Sequence, residues 1–115
     1  MQRSIGLELA ASSGIYSKAT STTGTDWVQL AASGSTGIRC NQVEIFNDTG
    51  TTLAVRYCNS DGTAKTGQSF LTVATGGTVR LRGIFEAAQV AVKRSDDSNT
   101  PVTVKFKTEG VAAGV

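Results

Sequence analysis

Along much of the chain, large apolar residues return at every second position and polar ones fill the gaps. Val43 and Ile45 alternate with Glu44, and Leu53, Val55 and Tyr57 alternate with Ala54 and Arg56. A period of two sends one face of a strand into a core and the other into solvent. Asn47, Asp48, Thr49 and Gly50 lie between these runs and supply turn chemistry. Residues 42–57 therefore predict an antiparallel hairpin with Ile45 opposite Val55. The same grammar returns twice. Residues 70–73 and 79–82 flank a Gly-Gly turn, and setting Val73 against Val79 places Leu71 opposite Leu81. Val90 and Val92 precede the polar segment 95–100, while Val102, Val104 and Phe106 follow it. Val92 against Val104 then puts Val90 against Phe106. Pro101 opens that last strand, where a missing N–H is tolerated.

Residues 27–30 add an earlier strand, and 31–37 form a loop of small turn-formers. In the connection 83–88, Ile84 and Phe85 are expected to cover an end of the core, with room for a single helical turn. No window of 11 or more residues carries a helical apolar period. The expectation is an all-β fold, a single antiparallel β-sandwich or jelly-roll-like barrel of about 7–8 short strands. Its inward set is Val28, Leu30, Val43, Ile45, Leu53, Val55, Tyr57, Leu71, Val73, Val79, Leu81, Val90, Val92, Val102, Val104 and Phe106. Residues 26–108 make the sandwich and 109–115 a tail. Residues 1–25 read as an N-terminal arm or edge strand, in which Ile5, Leu7 and Leu9 alternate with Gly6 and Glu8. Such an arm adds a strand to its own sheet or to a neighbour's.

At 115 residues the chain supports one domain with a modest core. Only 17% of residues are charged and the net charge is +2, too mild to demand a polyanionic partner. A surface of small polar side chains suits repeated protein contacts. No run approaches the roughly 18–20 apolar residues of a membrane span. Glu8 interrupts the apolar part of the N-terminus, which has no signal-peptide block, so synthesis and retention in a cytoplasm are expected. The hairpin register would bring Cys40 and Cys58 within a residue or two of each other. Both a disulfide and two free thiols are open, and a reducing compartment favours thiols. Two cysteines without histidine do not make a zinc site.

The chain has no histidine at all. That removes Ser-His and Cys-His dyads and the usual imidazole base, and no carboxylate pair is set apart by its pattern. The expectation is a protein that is not an enzyme, with no catalytic, metal or cofactor residues. Asp96-Asp97-Ser98-Asn99 could gather oxygen ligands for calcium but lacks the spacing of a calcium loop, so it reads as a solvated turn. Ser33 to Gly37 lacks the Gly-Lys-Ser/Thr of a phosphate loop. Arg80 and Arg82 share one strand's outward face, as do Lys105 and Lys107 on another, giving a basic face if the two strands lie in one sheet. Nucleic-acid modules interleave aromatics on such a face, and none do so here. Phe46 and Trp27 stand on the parity opposite to their apolar neighbours and should point outward. Exposed aromatics on a weakly charged domain mark an interaction surface. The candidate partner-interface residues are Trp27, Phe46, Arg80, Arg82 and Phe85.

The block from Gln42 to Gly50, followed by Leu53-Ala-Val-Arg-Tyr57, resembles small β-sandwich proteins of tailed bacteriophage particles. Residues 76–82 and 91–104 continue the same style. The likeness covers about residues 27–108 and is one of pattern. It implies a structural protein of the virion, made in the host cytoplasm. In its first form this is a capsid decoration (cement) protein that ties coat subunits together. Its partners would be the major capsid protein or other virion proteins, and it would be a homo-oligomer with a trimer favoured. Neck, tail or head-fibre components are the alternative position. A carbohydrate-binding or adhesin module is the alternative of another class, and it should show several aromatics clustered on one face.

Overall fold

The computed structural model of the protein describes residues 14–67 and 69–110. The alternation of Ile5, Leu7 and Leu9 and the tail 111–115 lie outside the described residues. Eight strands run in order: β1 (Gly14–Ala19), β2 (Val28–Gln29), β3 (Gln42–Phe46), β4 (Leu53–Tyr57), β5 (Leu71–Val73), β6 (Thr78–Arg82), β7 (Val90–Arg94) and β8 (Thr103–Glu109). They build two antiparallel four-stranded sheets, ordered β1-β8-β3-β6 and β2-β7-β4-β5. First pairs with last, second with seventh, third with sixth and fourth with fifth. This nested wiring is that of a jelly roll. The expected all-β sandwich is what the chain forms.

The expected hairpins are not. β3 lies between β8 and β6, so Ile45 faces Phe106 on one side and Val79 on the other. β4 belongs to the opposite sheet, with Val55 between Val92 and Leu71. The pairings of Val73 with Val79 and of Val92 with Val104 fail likewise, because each connection crosses from one sheet to the other. The physical reason is a degeneracy in parity. Two strands that turn their apolar faces toward each other across a core satisfy the same alternation as two strands side by side. The connection 47–52 is six residues long, enough to step the roughly 10 Å between packed sheets. It also lacks a two-residue Asn-Gly or Gly-X turn of the kind that commits a chain to a hairpin.

Faces survive where pairings do not. Val43, Ile45, Leu53, Val55, Val90, Val92 and Val104 are completely buried between the sheets. At about 1.5–3 kcal/mol for each large side chain taken from water, this layer is the main favourable term of the fold. Leu71 is a correction: its register points it inward, yet it is 54% exposed because β5 is three residues long and sits at a sheet edge. Val28, Tyr57, Val79 and Val102 are only partly buried. Ile84 covers one end of the core as expected, joined there by Cys40 and Ala87, while Phe85, expected beside it, is exposed. The expected single turn is the 3-10 segment Ala87–Gln89.

Each end of the sandwich has a polar clasp. At one, Asn47 is fully buried. Its Nδ2 donates to the carbonyls of Thr51 (2.8 Å) and Val73 (2.7 Å), and its Oδ1 accepts from the amide and hydroxyl of Thr49. Its backbone bonds to Gly76 and Gly77 as well. Gly76 (φ 88°) supplies the left-handed residue this turn needs. At the other end Glu86, 6% exposed, accepts from the Gly34 amide (3.0 Å) and the Ser60 hydroxyl (2.6 Å). The clasp unites the loops before β3 and after β4 with the connection between β6 and β7.

Candidate interaction surfaces

The outer face of the sheet β1-β8-β3-β6 is set by register. One row across it reads Ile15, Lys107, Glu44, Arg80, and the next reads Ser17, Lys105, Phe46, Thr78. Ile15 is 80% exposed and Phe46 49%. A groove of about 300 Å³ runs between them, lined also by Glu44, Thr78, Lys105 and Lys107. Lysine stems thus join two apolar anchors into one surface.

The expected basic face forms geometrically, since β6 and β8 do share this sheet. Its charge is largely matched. Arg80 Nε meets Glu44 at 3.3 Å, Lys105 Nζ meets Asp48 at 2.9 Å, and Lys107 Nζ meets Glu109 at 3.1 Å. Exposed pairs of this kind contribute little stability, but they neutralise the field that would draw a polyanion. Arg82 differs: its Nε donates to the neutral amide oxygen of Gln42 at 3.0 Å.

The other outer face, on β2-β7-β4-β5, carries an aromatic group that alternation did not assemble. Trp27 and Phe70 approach to 5.7 Å between ring centroids, in a tilted arrangement. The Arg56 guanidinium lies 4.4 Å from the Trp27 ring centroid and the Lys93 ammonium 5.7 Å. Both distances suit cation–π attraction. Arg56 Nε is buried without a hydrogen-bond partner, so the ring face is its compensation. Ala54 and Ala91 point outward by register yet are 0% and 1% exposed. The larger side chains beside them on this face form a roof.

The five residues singled out by sequence therefore do not form one surface. Phe46, Arg80 and Arg82 share one outer face, Trp27 lies on the opposite one, and Phe85 is 56% exposed on the connection between β6 and β7. Ile15, Phe70 and Leu71 were missed. Phe70 was within reach, because it stands on the parity opposite to Leu71 and Val73, the criterion that found Phe46 and Trp27. Ile15 and Leu71 carry no such mark: Ile15 turns outward on β1 through its register with β8, and Leu71 turns inward but lies at a sheet edge.

Both cysteines are free and buried. Burial pushes the Cys40 thiol up to about 11, and a hydrogen bond from the Gln42 backbone only partly opposes this. Burial also raises Cys58, with Arg56 pulling the other way, and its Sγ lies 3.2 Å from the Ala88 carbonyl. Cys40 precedes β3 and Cys58 follows β4, strands of different sheets, so the hairpin register that set them side by side does not form. Thiols held protonated in this way are poor nucleophiles. The Asp96 to Asn99 turn, read as solvated, is held by Arg94, which contacts Asp96 at 2.9 and 2.8 Å.

No family model matches the chain, and no curated protein matches it. Among solved structures, a chain from Bacillus endospore appendages, which form a family of disulfide-linked pili, is similar over 86% of each chain. Its identity is 12% and its TM-score 0.45. A likeness at that level carries no argument about what this protein does.

Proposed function

We infer that the protein is a non-enzymatic structural subunit that works by burying its outer surface against neighbouring subunits of a larger particle. In the form its sequence pattern favours, it is a decoration protein on the head of a tailed-phage virion, seated between coat subunits. The observation that supports this most is the outer groove between Ile15 and Phe46. There, two large apolar side chains sit in a face whose charges are already paired, so a partner need not supply counter-charges to match it. Jelly rolls serve capsid and lectin domains alike, so the fold itself does not choose between them. Purified protein added to heads that lack it should bind at fixed stoichiometry and raise their heat resistance. Binding confined to tail complexes would move it elsewhere in the particle.

A second reading rests on the pair Trp27 and Phe70. A carbohydrate-binding face needs clustered aromatics, and this face has two, with Phe70 52% exposed. Arg56 over the Trp27 ring weighs against it, since that ring face is already occupied. Glycan binding that disappears in Phe70→Ala would favour this reading over the first.

A further inference from the structure

The side of the sandwich where β5 and β6 end their sheets is left open. Leu71 on β5 and Leu81 on β6 both turn toward the space between the sheets. Leu81 is 1% exposed and Leu71 54%. Between them is an opening of about 160 Å³, lined also by Val55, Arg56, Tyr57 and Ser69. Above it runs the free edge of β6. The Arg82 amide points off this edge and donates to the Tyr57 hydroxyl at 3.0 Å, which ties the two sheets together at one end of the gap. Strand alternation puts the backbone groups of Thr78 and Arg80 on the same edge, where β6 has no neighbouring strand among the described residues. An unpaired edge over an apolar opening is a template for strand addition.

We propose that this seam receives residues 5–9 of a second copy of the chain as an added strand, with Ile5, Leu7 and Leu9 entering beside Leu71. Three observations select that occupant. The segment Ile5-Gly-Leu-Glu-Leu9 has the period-two alternation that an edge strand over a core requires. It precedes β1, which sits at the opposite edge of the same sheet, about 14 Å from β6 at ordinary strand spacing. The link 10–13 spans at most about 17 Å from Leu9 to Gly14 when fully extended, short of the roughly 19 Å between β1 and a strand added beyond β6. A strand formed at this seam by residues 5–9 must therefore come from another molecule. Charge agrees: with the leucines inward, Glu8 emerges on the face of Arg82, whose guanidinium has a neutral amide as its partner among the described residues. Because the donating and receiving edges differ, the contact is head-to-tail and propagates or closes into a ring. It stands independently of which particle the protein belongs to.

The test uses full-length chains. A mass-tagged Leu7→Cys chain is mixed with an untagged Leu71→Cys chain and oxidised mildly, after each is shown to unfold at the wild-type temperature. A disulfide needs close approach, so the proposal expects a mixed-mass dimer at about tenfold or more the yield of Leu7→Cys with Phe85→Cys. A chain carrying both substitutions that links only within itself would overturn the second copy, and equal yields for the two mixtures would overturn the site. A charge exchange provides the independent readout. Glu8→Arg and Arg82→Glu should each weaken self-association about tenfold, and the two together should restore it. A wild-type chain that stays single at millimolar concentration would also overturn the proposal.

Discussion

Asn47 Nδ2 donates a 2.7 Å hydrogen bond to the Val73 carbonyl, joining the crossing between β3 and β4 to the crossing between β5 and β6. The two residues are 26 positions apart: Asn47 directly follows β3, and Val73 ends β5 in the other sheet. A buried side-chain amide in this place does what a hairpin turn would do elsewhere: it sets where the chain leaves one sheet for the other. Removing it takes the amide donor from the carbonyls of Thr51 and Val73, and of these Thr51 keeps the Thr49 hydroxyl. Asn47→Ala should cost about 2–4 kcal/mol in chemical denaturation. Asn47→Asp should cost no less, because it keeps the acceptor for Thr49 and loses both donated bonds. A full rescue by aspartate would show that the turn, and not the inter-sheet bond, is what matters.

Glu86 performs the matching task at the other end, and its replacements should be graded. Glu86→Ala leaves the Gly34 amide and Ser60 hydroxyl without their acceptor and should cost about 1–3 kcal/mol. Glu86→Gln keeps one acceptor oxygen and should cost less. Amide hydrogen exchange at Gly34 is the local measurement. It should accelerate strongly in the alanine variant, while amides of β3 and β8 stay protected.

The turn after β7 predicts an acid limb in the stability profile. The Arg94 guanidinium and the Ser98 amide hold the Asp96 carboxyl down to about 2, from an ordinary value near 3.8. A carboxyl lowered by folding contributes stability that is fully present above its unfolded value and is lost as pH falls through the folded one. Denaturation midpoints should therefore fall between about pH 4 and pH 2. Asp96→Asn should flatten that part of the curve and lower stability above about pH 4 by the same amount, a small one because the pair is exposed. An unaltered acid limb would mean that other carboxylates carry it.

The thiols give a chemical test of the two-sheet arrangement. With Cys40 at about 11 and both sulfurs buried, a thiol reagent at pH 8 should label neither in the native protein and both after unfolding. Reducing agent should not shift the unfolding temperature. Labelling of either thiol in the native protein, or a native disulfide between them, would contradict two free, buried thiols.

How far the chain speaks for itself differs by level. Strand positions and inward faces were legible because burial on a pleated strand imposes a period of two, as at Val43, Ile45, Val90 and Val92. Partners were not. The same parity serves Val55 whether it lies beside Ile45 or across the core from it, and only the crossing at Asn47 decides. Surfaces were legible in part. Phe46 and Trp27 break parity and were found, but Phe46 meets Ile15 only because β8 brings β1 beside β3, and Trp27 meets Phe70 only across β7 and β4. Those neighbours are set by sheet order, which pattern along the chain does not encode.

The claim that this protein acts through its outer groove is tested most directly by counting copies bound per particle. Wild type should saturate heads that lack it at a fixed number per symmetry unit. The double variant Ile15→Ser with Phe46→Ser, both positions exposed and outside the core, should remain folded and bind at least about tenfold more weakly, as expected for two apolar anchors left in water. Equal binding by the variant, or wild-type binding without saturation, would contradict the account.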